Sequence, residues 1–183
     1  MKRSLLVPCA FLALLFAACT TKSSAPAESS LVGASVAAPA GMTLTKSTLA
    51  GGGTADLPGG TGWERSDGPP LEVSNEAEKI TVMVQYQAEV PAEARDEYVT
   101  AFIGVNTKDA PKYQVTGKTN GALPGGQAAR VDGTFDNGTA FATRDYLVFA
   151  KGGVGSVMVR GPSASTDKVH ALADAVASSY RVP

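Results

Sequence analysis

Three consecutive strand-like segments joined by tight-turn signals are the feature that most constrains the fold of this 183-residue chain. The segments are residues 129–135, 139–150 and 155–160, and only Asp136-Asn137-Gly138 and residues 151–154, which contain the turn Lys151-Gly152-Gly153, separate them. Asn-Gly pairs tolerate the positive φ angles that hairpin turns require. Connections this short join antiparallel neighbours, because a parallel pair needs a crossover of a dozen or more residues. The sequence therefore predicts an antiparallel meander.

Four shorter segments before the meander also have the character of strands. The clearest is residues 80–86, where Ile80, Val82, Val84 and Tyr86 alternate with more polar positions and share one face. The other segments predicted as strands are residues 42–45, 71–73 and 113–116.

Two segments show helical spacing. Pro91 begins the first, at the position where a missing N–H costs nothing, and Ser163 or Ser165 caps the second. The predicted buried stripe of the first helix is Ala94, Tyr98, Ala101, Phe102 and Val105. That of the second is Val169, Leu172, Ala173, Val176 and Tyr180, and we expect it to dock on Phe141, Leu147, Phe149 and Val157.

The order of these elements is strands, helix, four strands, helix. This order predicts an α+β fold in which helices flank an antiparallel sheet of about six strands. We expect one globular domain over residues 42–183.

The N-terminus resembles an export signal. Lys2 and Arg3 precede a 14-residue apolar run, residues 5–18, which is shorter than the roughly 20 residues of a membrane-spanning helix. The run ends in Ala17-Ala18-Cys19, which resembles a bacterial lipobox. We therefore predict a signal peptide over residues 1–18 and lipidation of Cys19. The alternative is ordinary secretion with cleavage after Ala25-Pro26-Ala27.

This reading predicts a lipid-anchored protein of the bacterial cell envelope. The membrane would be the outer one in a Gram-negative organism, since Thr20 rather than Asp follows Cys19. Residues 19–41 are rich in Ser, Ala, Thr and Pro and are predicted to form a flexible tether. The alternative is that part of this segment packs on the domain around Leu31 and Val32.

Composition and motifs argue against several classes of function. Sixteen basic and 17 acidic residues give a net charge of −1, which does not suit a nucleic-acid binder. One His and two Cys do not suit a multi-ligand zinc site. His170 has no nucleophile and orienting group in a pattern that predicts catalysis, and the clusters Gly51-Gly52-Gly53 and Gly152-Gly153 lack the context of a phosphate-binding loop. We therefore predict no catalytic residues and no cofactor.

Carboxylates in neighbouring strands raise the question of a Ca²⁺ site. Asp132, Asp136 and Asp145 lie in the predicted meander. Arg130 and Arg144 alternate with them, so cross-strand ion pairs are the simpler interpretation, and no metal site is predicted.

Four landmarks together resemble the PsbP-like α/β/α sandwich superfamily, which includes the LpqN/LpqT-type bacterial lipoproteins. They are the sequence Pro-Gly-Gly-Thr-Gly-Trp at residues 58–63, Pro-Gly-Gly-Gln-Ala-Ala-Arg at 124–130, the hairpin over 146–159 and Ala-Ser-Ser-Tyr-Arg-Val at 177–182. The resemblance implies the sandwich fold and an extracytoplasmic, often lipid-anchored setting. It implies no shared catalytic residues, because members are largely binding or assembly-accessory proteins.

The expected function is therefore a non-catalytic binding or assembly module, held at the membrane by its lipid and partnered by an envelope protein. An alternative is a carrier of a small apolar ligand between sheet and helix. A pocket lined by Trp63, Tyr86, Phe102 and Phe141 would favour that alternative, and any of the four could instead form a partner surface. An envelope enzyme would have to rely on carboxylates such as Glu89 or Glu93.

Overall fold

The chain forms nine strands and two helices over the residues that the computed structural model describes, 28–33 and 36–183. The strands before the first helix are β1 (Thr43–Thr48), β2 (Thr54–Gly59), β3 (Glu64–Ser66), β4 (Leu71–Asn75) and β5 (Ile80–Ala88). Helix α1 (Arg95–Asp109) follows, preceded by a 3-10 turn at Ala92–Ala94. The chain continues with β6 (Gln114–Leu123), β7 (Gly126–Asp136), β8 (Ala140–Ala150), β9 (Gly153–Pro162), a 3-10 turn at Ser163–Ser165 and helix α2 (Thr166–Ser179).

Seven strands form one antiparallel sheet in the order β3-β4-β5-β9-β8-β7-β6. The predicted meander is its centre: β7 pairs with β8 from Asp136 opposite Ala140, and β8 pairs with β9 from Ala150 opposite Gly153. The turns between them contain Gly138 and Gly152 at φ angles of 100° and 102°, which suit glycine. Strand β5 joins the meander at β9, so the two halves of the chain share one sheet.

The strand count exceeds the predicted number of about six. Strands β2 and β3 lie within and just after the glycine clusters of residues 51–62, where no strand was predicted. Strand β2 pairs with β1 in a separate two-stranded sheet, and the three-residue β3 pairs only with β4 at the sheet edge. Short edge strands between glycine turns carry little periodicity, so their pairing is decided by tertiary contacts.

One face of the main sheet is covered by α2 and the β1–β2 hairpin. The predicted stripe of α2 is fully buried, and it packs against inward residues of β5, β8 and β9. Tyr180, just after the helix, donates a hydrogen bond from its hydroxyl to the carbonyl of Gln85 at 3.1 Å. Gly155 lies under that ring, where a Cβ atom would collide with it.

The partners predicted for α2 were partly wrong. Val157 does face α2, but Leu147 and Phe149 lie on the opposite face, under α1. Phe141 belongs to the same row of β8 as these two and is also not a partner of α2. Side chains alternate along β8, so Tyr146 and Val148 take the places predicted for them.

Helix α1 covers only part of the other face. Its fully buried residue is Val99, which packs with Leu147, Phe149 and neighbouring strand residues. The predicted stripe is partly wrong: Tyr98 and Phe102 do pack against this core, but Ala101 is exposed and Val105 is 57% exposed. Apolar residues lie all around this helix, so spacing alone did not select one face.

Part of the predicted tether is built into the domain. Ser30 forms a parallel bridge with Ala122 of the edge strand β6, and Leu31 N–H donates to the Ala122 carbonyl at 2.9 Å. Val32 is 8% exposed within the α2-side core. The expectation of a free tether is therefore wrong for residues 28–33. Their backbone pairs with the edge strand β6, and Val32 is buried in the core.

Cys19, the signal segment and residues 20–27 lie outside the described residues. Within residues 28–33 and 36–183, no helix has both the length and the apolar character needed to cross a membrane.

Candidate functional site

The four aromatic residues predicted to line one pocket lie in four different cavities. Trp63 is half-buried against the α2-side core, in a cavity of about 270 Å³ between β1, β2 and β4. Tyr86 lines a cavity of about 310 Å³ beside Leu71 and Gly51. Phe102 and Phe141 line cavities on the opposite face of the sheet. The structure therefore does not assemble the predicted four-residue pocket.

The two cavities on the α1 side belong to a longer cleft. Helix α1 covers β7, β8 and part of β9, but on β5 it leaves Thr81 and Gln85 only partly covered. An apolar groove of about 340 Å³ runs between the helix and β5. Its walls are Gln85, Tyr98, Ala101, Phe102, Val105, Asn106 and Met158. We call this depression and its continuation the α1 cleft.

The groove continues into a small polar cavity of about 30 Å³. The two share Asn106 and Met158, and the small cavity adds Tyr113, Thr143, Asp145 and Arg160. Tyr113, Thr143 and Asp145 are each less than one-tenth exposed. We call these three residues and Arg160 the polar floor of the α1 cleft.

Two hydroxyls of the polar floor make no well-formed hydrogen bond. The Tyr113 hydroxyl and Thr143 Oγ1 are buried without a partner of good geometry among the described residues, and they have a mutual polar contact, through which Thr143 opposes the rise in the pKa of Tyr113. Space for the Tyr113 ring comes from Gly133, where a Cβ atom would lie 2.7 Å from the hydroxyl. A buried hydroxyl without a partner is costly, so such groups mark places where a bound molecule finds hydrogen bonds.

Burial also changes the acid–base properties of the floor. It raises the pKa of Asp145 to about 8, with Arg160 opposing the rise and Asp132 adding to it. Burial raises the pKa of the Tyr113 hydroxyl to about 12, and Asp145 adds to that rise. At neutral pH both groups therefore carry a proton that can be donated.

The far end of the cleft is aromatic. Phe135 and Phe141 stack with ring centroids 4.9 Å apart and an interplanar angle of 6°. With Arg160 they line a third cavity of about 340 Å³, and Phe135 and Arg160 also line the small polar cavity. Phe102 and Phe141 thus lie toward opposite ends of one surface, whereas Trp63 and Tyr86 do not contribute to it.

The opposite face of the meander carries an ion-pair network. Arg144 Nε lies 2.7 Å from Asp132 Oδ1, and Arg144 Nη1 lies 3.0 Å from Asp174 Oδ1 of α2. The Tyr146 hydroxyl donates to Asp174 Oδ1 at 2.6 Å. Arg144 lies directly opposite Asp132 across β7 and β8, so the predicted cross-strand ion pair is confirmed for Asp132. Arg130 Nε, in the same strand as Asp132, lies 3.3 Å from its Oδ2. This network joins α2 to the sheet.

His170 lies half-buried beside this network. Burial lowers its pKa, and the positive charge of Arg144 adds to the lowering, while Asp132 and Asp174 oppose it. Its described neighbours are thus a structural ion-pair network on the face opposite the α1 cleft. In the described part of the chain, no group of three or more His, Cys, Asp or Glu residues is arranged to hold a metal ion.

Sequence analysis missed the polar floor, although a signal was present. Every second residue of β8 points to the same face of the sheet. Thr143 and Asp145 therefore share one buried face with Leu147 and Phe149. Two polar residues in register with an apolar buried row indicate either a polar core network or a binding site. Tyr113 and Arg160 come from distant strand ends, and only the sheet topology brings them to this place.

Comparison with known proteins identifies the fold. No protein-family model and no curated protein matches the sequence. Among solved structures, the chain is similar to LpqN of Mycobacterium tuberculosis, a protein involved in cell envelope biogenesis, with 16% identity and a TM-score of 0.52. That similarity covers 78% of this chain and 92% of LpqN.

Two further solved structures share this architecture. Cyanobacterial PsbP from Synechocystis has 15% identity and a TM-score of 0.57 over 76% of this chain and 92% of its own. The Ran-binding protein Mog1p of Saccharomyces cerevisiae has 13% identity and a TM-score of 0.54 over 77% and 96%. The chain therefore has the PsbP-like, LpqN-type fold, and the resemblance predicted from its sequence is confirmed at the level of the fold.

Proposed function

We propose that this chain is a lipid-anchored, non-catalytic binding module of the bacterial cell envelope, and that it binds through the α1 cleft. The observation that carries the proposal is the partly covered sheet face beside α1, where an apolar groove adjoins buried hydroxyls that make no well-formed hydrogen bond among the described residues. The described surroundings of His170 form a structural ion-pair network, which supports a role in binding over catalysis.

The setting of the proposal rests on the N-terminal motif. Ala17-Ala18-Cys19 ends an apolar run of signal-peptide length, which supports lipidation of Cys19. The fold is shared with an envelope protein, LpqN, and with a binding protein, Mog1p, and it is compatible with the same kind of role here. The partner we propose is a protein of the same envelope, and Thr20 after Cys19 favours the outer membrane in a Gram-negative cell.

A second candidate function is a carrier of a small apolar ligand. The specific observation in its favour is the shape of the α1 cleft, since an apolar groove with a few buried polar groups at one end is typical of small-molecule sites. The carrier would use Phe102 and Phe141 of the four residues first predicted, without Trp63 and Tyr86.

Photo-crosslinking in intact cells tests both candidates. A photoreactive phenylalanine analogue replaces Val105 in the cleft, and Val115 on β6 serves as the matched control, since both valines are exposed at 57% and 41%. We expect adducts at position 105 and few at 115. A protein partner shifts the adduct on a gel, whereas a small ligand changes only the intact mass.

The anchor is tested in the same cells with Cys19→Ser. We expect this variant to leave the membrane fraction, with Thr20→Ser as the control that stays. Equal crosslinking at both valines would contradict binding through the cleft, and a Cys19→Ser protein that remains membrane-bound would contradict the lipid anchor.

A further inference from the structure

The hydrogen-bonding groups of the polar floor are suited to donating. The hydroxyls of Tyr113 and Thr143 make no well-formed hydrogen bond among the described residues, and each can donate one. Asp145 is buried beside them and, when protonated, is also a donor. A ligand group that only accepts hydrogen bonds therefore complements this floor.

Arg160 adds a positive charge at the same point. Among the described residues, no carboxylate oxygen lies within 4.0 Å of its guanidinium, and its recorded hydrogen bond goes from Nη2 to the sulfur of Met83 at 3.2 Å. A thioether is a weak acceptor, and Arg160 is exposed to solvent, so its guanidinium is accessible to an anionic ligand. A carboxylate can receive two parallel hydrogen bonds from such a group.

The size of the small cavity favours a carboxylate over a larger anion. A cavity needs about 10–15 Å³ on this measure to hold one water. On the smaller or the larger of the two usual volumes per water, the cavity of about 30 Å³ admits only one or two water-sized groups, which suits carboxylate oxygens better than a phosphate.

The groove supplies the complementary apolar part. Phe102, Val105 and Met158 line a volume of about 340 Å³, and one water occupies about 30 Å³ in the liquid. A methylene group is of similar size, so the groove accommodates a chain of about eight to ten carbons. The groove and the small polar cavity are adjacent, since Asn106 and Met158 line both.

We infer that the α1 cleft binds a monocarboxylate with a medium-length apolar chain, with its carboxylate against Tyr113, Thr143 and Arg160 and its chain along Phe102, Val105 and Met158. This inference rests on the second candidate function and names its ligand class. A fatty acid and the C-terminus of an apolar peptide both present this chemistry.

Calorimetric titration of the chain from Thr20, which keeps every described residue, tests the inference. The probes are decanoate, decylamine with the same chain and an opposite charge, and N-acetyl-leucyl-leucine as a peptide carboxylate. We expect a carboxylate to bind and decylamine to bind at least tenfold more weakly. The tighter of the two carboxylates identifies the source of the ligand.

Variants assign the contacts. Arg160→Gln should weaken carboxylate binding about tenfold or more, and Tyr113→Phe by about fivefold, as expected for lost charged and neutral hydrogen bonds. Val105→Ser should weaken decanoate about threefold, whereas Val115→Ser should leave it unchanged. Unfolding curves confirm that each variant is folded.

Two results would overturn the inference: no binding of either carboxylate, or an affinity that Arg160→Gln and the change to decylamine leave unaltered. Crosslinking at Val105 separates this failure from that of the proposed function. A protein adduct at that position without carboxylate binding removes the ligand class alone, whereas the absence of adducts and of binding removes both.

Discussion

At the residue scale, Asp145 is the group whose environment departs most from its ordinary state. It lies in a strand among apolar neighbours, and it is 5% exposed. Burial raises its pKa from 3.8 to about 8, so the folded protein holds a proton there that the unfolded chain has lost above about pH 4. Between these values the unfolded state binds fewer protons, and stability falls as the pH rises.

Asp145→Asn removes this penalty. The gain in unfolding free energy of the variant over the wild type should increase between pH 5 and pH 7, by at most about 1.4 kcal/mol per pH unit. Urea unfolding at the two pH values measures the difference. Asp136→Asn is the control: Gly138 and Lys112 lower the pKa of that exposed carboxyl, so its effect should not vary over this range. A pH-independent effect of Asp145→Asn would contradict the prediction.

Individual residues were predictable where one periodicity decided their position. The α2 stripe is such a case, because Val169, Leu172 and Val176 recur at helical spacing and all are fully buried. The polar floor was not predicted, since Tyr113 and Arg160 meet only through pairing between strands that are distant in sequence. The helical and strand periodicities of the sequence do not predict which distant residues are brought together by strand pairing.

At the scale of elements, helix α1 buries fewer of its residues against the sheet than α2 does. Its apolar residues point in several directions, and it buries Val99 while leaving Val105 at the edge of the cleft. An edge-to-face contact between Tyr98 and Phe149, with centroids 6.0 Å apart, adds to the packing of its N-terminal half. Because α1 covers its face of the sheet only in part, Val105 is exposed, contrary to the prediction, and lines the groove.

The two valines of α1 permit a matched comparison. Val99→Ala should reduce the unfolding free energy by about 2 kcal/mol, because it removes two buried methyl groups and leaves a cavity. Val105→Ala on the same helix should change it by no more than about 0.5 kcal/mol, because the side chain is mostly exposed. Chemical denaturation measures both, and equal losses would show that α1 docks in another orientation.

At the scale of the whole molecule, two pairings join segments that are far apart in the sequence, and no sequence pattern predicts either of them. Strand β5 pairs with β9 across about 70 residues of chain, and residues 29–31 pair with Ala122 at the β6 edge. The order of elements and the α+β class were predictable, because each depends on local periodicity and turn residues. The extra strands and the docked N-terminal segment depend on which edges remain free after the sheet forms.

The docked segment predicts a loss on truncation. A chain that begins at Gly41 should unfold at a temperature several degrees below one that begins at Glu28, because it lacks Val32 in the core and the 2.8 Å ion pair between Glu28 and Arg95. A loss of about 1–2 kcal/mol is expected, at about 2–4 °C per kcal/mol for a domain of this size. Thermal unfolding of both chains measures it.

Gly121 provides the control for that truncation. A Cβ atom at this position would lie 2.7 Å from Leu31 Cδ2, so Gly121→Ala should displace the segment. The substitution should reduce the melting temperature of the chain from Glu28 and have a smaller effect on the chain from Gly41. Equal melting temperatures for the two unsubstituted chains would show that the segment contributes nothing to stability.

With the lipid anchor that we propose at Cys19, the docked segment would also limit the distance between the domain and the membrane. Nine peptide steps separate Cys19 from Glu28, and a trans chain spans at most about 3.6 Å per step, or roughly 30 Å in all. A domain that began at Met42 would be allowed roughly 80 Å by the same limit. The hydrogen bonds at Ala122 would thus reduce the maximum distance between Cys19 and the domain by more than half. They would also place the point of attachment at the β6 edge of the sheet. The domain would then rotate about that edge, and β3, at the opposite edge, would move furthest.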